Sequence, residues 1–258
     1  MSMEGALPEV TVVTGQLLSA GARYLLLAGG VYWLLYVRFR RLLAARHIQA
    51  EFPSRAELWY QVRWSAVTLV ATALLTVFVY RLIDGGWTRM YFDIGERGWP
   101  YFLLSILLGI IGYDTFIYWQ HRILHLRWWY ERIHYVHHRT SNPTPLALFT
   151  FHPVEHLMGN AYYLLLILLL PMHPLAFASV LVFFTGYAIV GHSGYELFPS
   201  GFTRHRLLGW LNTSTHHNMH HTHEGCNYGN WFNLWDSLMG TNHPDYHEIF
   251  ESIQERAG

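Results

Sequence analysis

Histidine is the residue type whose placement points to chemistry. The chain has 258 residues and 18 histidines, of which only His47 precedes residue 121. Eight of them fall into three tight sets: His121 and His125 in HRILH, His134, His137 and His138 in HYVHH, and His217, His220 and His221 in HNMHH. On an α-helix, residues three and four apart share a face, with Cβ atoms about 5–6 Å apart. Imidazoles at that spacing converge on one metal ion or on a close metal pair. Without a metal, eight clustered rings would carry repelling charge or leave buried nitrogens unpaired. Eight nitrogens exceed what one ion uses, so two ions are expected. Imidazole suits zinc, copper, iron and nickel alike, so the spacing does not name the metal. A structural zinc closes with four ligands, usually including cysteine. The single cysteine, Cys226, has no CxxC companion and no internal disulfide partner. The isolated His47, His173, His205 and His247 read as interfacial residues.

These histidines need a scaffold, and the scaffold reads as an all-α integral-membrane protein. Apolar residues make up 52% and charged residues 13% of the chain, and that charged share is about half the usual one. So short a soluble chain would struggle to hide that much apolar surface, which makes lipid the expected solvent for part of it. The net charge is zero and no basic patch suggests nucleic acid. All 17 basic residues are arginine, to which we attach no functional weight. Residues 1–14 lack the positive n-region and clear cleavage site of a signal peptide.

Spans are expected at Gln16–Val37, Trp64–Ile83 and Tyr101–Trp119, with an arginine-rich connector after the first and a turn-rich loop over 84–99. Leu157–Leu170 and Leu175–Val190 are shorter apolar runs, broken by Pro171 and Pro174. They fit either a re-entrant hairpin or two short spans across a core about 30 Å thick. Four to five apolar helices therefore carry a histidine-rich helical cap. Arg38, Arg40, Arg41, Arg46 and Arg55 place the connector in the cytosol. The span count then brings every histidine cluster to that face, in agreement with Arg122, Arg127, Arg132 and Arg139. Three regions follow: membrane helices and connector over 1–100, a catalytic region over 101–245 and a tail over 246–258.

A ligand histidine usually passes its other ring N–H to a carboxylate or carbonyl. Glu131, Glu155, Glu196 and Asp236 are candidates for that role. Asp114, Tyr118, His121 and His125 follow a four–three–four spacing and so form one helical stripe. Asp114 and Tyr118 are expected to line a substrate tunnel or hold a polar end of a lipid; the alternative is that Asp114 bonds a neighbouring helix and fixes packing. In FHPVE, Pro153 suits a first helical turn and Glu155 suits the helix dipole, which sets His152 or His156 at the membrane surface. Trp119, Trp128 and Trp129 read as an interfacial aromatic belt.

The order HxxxH, HxxHH, HxxHH after a third hydrophobic segment resembles the fatty acid hydroxylase and sterol desaturase superfamily of membrane di-iron oxidases. The resemblance runs from Tyr101 to Thr241. It includes FHPVE (Phe151–Glu155), GHSGYE (Gly191–Glu196), NYG (Asn227–Gly229) and WDSLMGT (Trp235–Thr241). HSGYE followed by HxxHH and NYG is especially similar to the C-4 methylsterol oxidase and C-5 sterol desaturase branches. By position, the resemblance implies His121, His125, His134, His137, His138, His192, His217, His220 and His221 as ligands, with His152 as a tenth. His156, His216 and His223 depart from the pattern and leave the exact set open.

The resemblance further implies two iron ions, O2 and a lipid substrate drawn from the bilayer. The chain has no cytochrome-b5-like haem motif, so electrons are expected from an external ferredoxin- or cytochrome b5-type protein and its reductase. The activity implied is oxidation of a lipid C–H bond, with hydroxylation simpler than desaturation because it abstracts one hydrogen. A histidine-rich metal transporter would want ligands at the bilayer midplane, whereas these clusters lie beyond the apolar runs. A zinc metallohydrolase would need a general-base carboxylate in an HExxH-like pattern, which is absent.

Overall fold

The computed structural model describes residues 9–257; most of the 1–14 stretch read for a leader lies outside them. Among the described residues the secondary structure is helical, with only isolated bridge contacts and no strands. The helices are α1 (Val10–Arg38), α2 (Arg55–Asp84), α3 (Gly98–Leu124), α4 (127–138), α5 (Pro153–Leu169), α6 (Pro174–Gly191), α7 (Ser214–Thr222), α8 (Leu234–Met239) and α9 (Tyr246–Ala257). Four of them, α1, α2, α3 and α6, are long and apolar enough to cross a membrane. The chain is thus a multi-pass membrane protein by the length and composition of its helices. Leu25, Leu26, Phe78, Leu103 and Val182 are exposed, as expected of faces solvated by lipid.

The second span begins at Arg55, well before the apolar run that starts at Trp64. Ser54 starts it with a capping box: the Ser54 N–H donates to Glu57 Oε2 at 2.7 Å, and the Glu57 N–H donates to Ser54 Oγ. Its 30 residues extend about 45 Å, beyond a hydrocarbon core of about 30 Å, so its first turns stand outside that core. Helices α5 and α6 both open with His-Pro. His152 Nδ1 accepts from the Val154 N–H and His173 Nδ1 from the Leu175 N–H, each at 3.2 Å. Each ring caps its own helix, while the proline occupies a turn that needs no N–H. The two form a hairpin against α3. Gly109 of α3 lies so close to Val180 of α6 that a Cβ there would approach the valine to 2.7 Å. Phe102, Leu166, Met172, Val180, Phe184 and Trp231 pack the resulting core.

The 44–48 segment of the connector is fastened to the other end of the chain. Ile48 N–H donates to the Gly194 carbonyl at 3.0 Å and Glu196 N–H to the Arg46 carbonyl at 2.9 Å. The Arg46 guanidinium donates to the carbonyls of Glu196 and Phe198 and to Gln254 Oε1 of α9. His47, expected at the interface, is buried there instead. Within the 246–258 tail, Tyr246–Ala257 forms α9, whose Tyr246 and Phe250 pack with Met219 of α7 and Phe202. Helix α7 is therefore enclosed at one end of the bundle, beside the end of α3, α4, the start of α5 and the end of α6.

Candidate metal centre

At that end nine histidines converge in two groups. His121, His125, His134, His138 and His220 form the first and His137, His192, His217 and His221 the second. Within each group the potential ligand atoms all lie within 4.8 Å of one another. Neither HxxHH motif serves a single group. Helix α4 directs His134 and His138 to the first group and His137 to the second. Helix α7 reverses the pattern, sending His217 and His221 to the second group and His220 to the first. The i, i+4 pair shares one face, while the i+3 ring points far enough round the helix to reach the adjacent group. A π-helical turn over Tyr130–His134 leads into the first motif.

The outward ring nitrogens fix the chemistry of the inward ones. His121 Nδ1–H donates to the Tyr228 carbonyl (2.8 Å), His220 to Cys226 (2.7 Å), His137 to Thr150 (3.1 Å) and His192 to Ala188 (2.8 Å). His134 Nδ1–H donates to Glu155 Oε1 at 2.8 Å. A carbonyl can only accept, so the rings of His121, His137, His192 and His220 carry their proton on Nδ1 and present an Nε2 lone pair inward. The His121 lone pair faces His134 Nε2 at 3.1 Å. Burial pulls the imidazoles toward the neutral form that ligation requires. His138 is lowered to about 3 by burial and then by the adjacent His121. His192 is lowered to about 4 by burial, against the opposing Ala188 bond. Burial, followed by neighbouring histidines, also holds His134, His137, His217, His220 and His221 well below the usual histidine range.

The close Nε2 pairs lie 3.0–3.2 Å apart in both groups. Each group therefore offers imidazole nitrogens near enough to share one ion, and imidazole suits several transition metals.

The remaining candidates separate cleanly. His152 caps α5, and His156 Nε2–H donates to Thr72 Oγ1 at 2.9 Å. His216 Nε2 faces Asn242 Oδ1 at 3.3 Å and Asp236 Oδ2 at 3.6 Å. His223 is exposed, its ring 4.7 Å from that of His243. All four lie outside both groups. Glu155 touches a histidine of the first group directly. Glu196 accepts from the N–H and hydroxyl of Thr215, placing its carboxylate at the start of α7. Asp236 accepts from Tyr228 N–H and Gly229 N–H, so it holds the loop whose carbonyl orients His121. Glu131 is at the surface, paired with Arg127 at 2.9 Å. Asp114 accepts from the N–H groups of Trp231 and Phe232, and Tyr118 Oη donates to Thr241 Oγ1 at 3.0 Å. Both therefore anchor the 228–241 segment.

Several positioning groups had no side-chain signature in the sequence, because they are backbone carbonyls: Thr150, Ala188, Cys226 and Tyr228. The NYG motif offered a local signal. Asn227 has φ 57°, a left-handed conformation that asparagine tolerates. Its amide donates to the His216 carbonyl and its Oδ1 accepts from the His243 N–H. The loop is thereby folded back under α7, with Cys226 and Tyr228 toward the rings. Gly229 is needed for close approach, since a Cβ there would meet Asp236 Oδ2 at 2.7 Å. Tyr228 and Tyr130 flank the first group, 5.0 and 5.4 Å from the His125 ring, and Tyr130 Oη donates to Glu224.

Comparison with known proteins gives the same outline. The profile described as fatty acid hydroxylase matches residues 106–241. Human lathosterol oxidase is 32% identical over 185 residues, covering 70% of this chain and 60% of that protein. The mouse lathosterol oxidase is 32% identical over 191 residues, covering 73% and 62%. The Delta(7)-sterol 5(6)-desaturase ERG3B of Gibberella zeae is 31% identical over 172 residues, covering 66% and 52%. The chain thus spans less than two thirds of the length of these relatives. No solved structure gives a significant match.

Proposed function

The chain belongs to the fatty acid hydroxylase family, and on that premise we propose that it is an integral-membrane oxidoreductase that uses O2 to oxidise a C–H bond of a sterol or related lipid. The observation that carries this reading is the double set of inward-facing, buried imidazole nitrogens. In it, His121, His125, His134, His138 and His220 hold one iron ion, and His137, His192, His217 and His221 hold the other. Iron in these groups supplies O2 activation and one-electron redox chemistry, as cofactors do in oxidases generally. The protein's own contribution is ligation, orientation and exclusion of water. The Nδ1–H bonds fix each ring's tautomer and angle. Glu155 orients His134, Asp236 acts on His121 through Tyr228, and Glu196 fastens the first turn of α7. His152, His156, His216 and His223 play no ligating part in this reading, because their rings are turned to other partners.

The lipid approaches from the bilayer. An apolar crevice of about 440 Å³ between α3 and α5 is lined by Gly112, Phe116, Tyr162, Leu165 and Leu169. The reactions named for the relatives support a sterol substrate. They also favour removal of a second hydrogen, giving an alkene, over the hydroxylation expected on grounds of economy. The donor is a separate one-electron carrier of ferredoxin or cytochrome b5 type, served by its reductase. Arginines flanking the histidine end support a cytosolic position for it. The test is metal analysis of the purified protein together with O2 uptake on lathosterol and a reduced carrier. Two irons per chain and sterol-dependent O2 uptake are expected; a zinc-loaded protein, or iron without uptake on any sterol, overturns the reading.

A further inference from the structure

Outside the two histidine groups but next to His138 in the chain, a cleft of about 250 Å³ opens where the start of α2 meets the end of α4. It is lined by Glu57, Trp59, Tyr60, Arg63, Arg139 and Thr140, with Ala56 of the first turn beside them. The volume falls below the roughly 300–1,000 Å³ of pockets that enclose a drug-sized molecule. It suits a headgroup rather than a whole lipid.

Two features give the cleft an anion's chemistry. First, Arg63 and Arg139 are both exposed, and no carboxylate pairs with either among the described residues. Glu57, the one acid in the lining, is held in the capping box of α2 with Ser54. Second, the Arg139 guanidinium stacks on the Tyr60 ring at 4.8 Å, which fixes its plane and leaves its N–H fork for a ligand.

The depth identifies the ligand's source. Trp59 is 63% exposed on the first turns of a membrane-spanning helix, the position of interfacial aromatic anchors at headgroup level. We propose that this cleft binds the phosphate of an anionic lipid headgroup. Binding there also braces the first HxxHH motif. Tyr60 Oη donates to the Val136 carbonyl at 3.0 Å, and Val136 lies between His134 and His137. A headgroup held by Arg63 and Arg139 therefore links α2 to the end of α4 beside the histidines.

The test is lipid retention by the full-length protein in detergent, read by native mass spectrometry with added phosphatidylglycerol. The wild type should keep one phosphatidylglycerol in preference to phosphatidylcholine. The double variant Arg63→Gln/Arg139→Gln should bind it about tenfold or more weakly, because two charge-assisted contacts are lost. Arg63→Lys/Arg139→Lys should keep most of the binding. Arg97→Gln, at the far end of the bundle, should leave binding unchanged. Both arginines are exposed, and unchanged circular dichroism should show that the variants fold. Equal retention by wild type and the double glutamine variant overturns the proposal. Displacement by inorganic phosphate at the lipid's own concentration assigns the cleft to free phosphate and overturns the lipid reading.

Discussion

Replacing Glu155 by alanine should loosen the first histidine group without removing a ring from it. The carboxylate accepts the His134 Nδ1–H at 2.8 Å, and the two side chains are 7% and 1% exposed. Solvent cannot take over the bond, so the alanine variant strands a buried N–H and frees the ring to rotate or change tautomer. Leaving a buried donor without its partner costs roughly 1–3 kcal/mol. At about 1.4 kcal/mol per tenfold, metal retention in that group should weaken about 10- to 100-fold, the range seen when an outer partner of a ligand histidine is removed. Glu155→Gln keeps a carbonyl oxygen for His134 and should lose less than about tenfold, since the acceptor remains. Glu131→Ala breaks an exposed pair with Arg127, whose side chains are 53% and 91% exposed, and should change nothing measurable. The assay is chelator competition on purified protein with elemental analysis of what remains bound. A Glu155→Ala protein that resists the chelator as wild type does would refute the argument that this carboxylate orients a ligand.

Other outcomes follow from the same geometry. His192→Ala should lower bound metal from two ions toward one, because it removes a nitrogen from the second group only; elemental analysis showing both ions intact would remove His192 from the site. With folded values of about 3 and about 4 for His138 and His192, the unfolded chain binds more protons between pH 6.5 and the folded values. Stability of the metal-free protein is therefore lost as pH falls through that window, and a Tm that stays flat from about pH 7 to about pH 4.5 would contradict buried neutral imidazoles. For topology, single cysteines at the exposed Ser54, Ser141 and Thr222, in a Cys226→Ser background, should label from one side of the membrane, and one at Asp84 from the other. Labelling of Ser54 and Thr222 from opposite sides would break the bundle's orientation.

Much of this candidate centre was legible because eight of its histidines stand at helical spacing. The spans emerged from apolar runs, and the ninth histidine of the two groups, His192, was named through the family resemblance. What stayed hidden was the partition. Spacing showed that His134, His137 and His138 share a helix face, but the split of each HxxHH between two groups depends on how α4 and α7 pack. The early start of α2 was hidden by its polar first turns, although Ser54 and Glu57 carried the capping signal. His47 looked interfacial because burial by a distant segment, here 194–196, leaves no local trace. Asp114 and Tyr118 were read as lining a tunnel or, for Asp114, as fixing packing; in the structure they hold the 228–241 segment, a contact more than a hundred residues away in sequence.

The crossed contribution of α4 and α7 has a thermodynamic consequence. Each helix gives a pair of rings to one group and a single ring to the other, so neither group can be ordered without ordering part of its neighbour. On the proposed ligation, the first ion to bind immobilises both helices and so meets much of the entropic cost of assembling the second site. Loading should then be cooperative, and by linkage reciprocal: each ion raises affinity for the other by the same factor whichever arrives first. A half-filled protein would be a scarce species, and the separation between the ions would be held by two short helices acting as one rigid clasp.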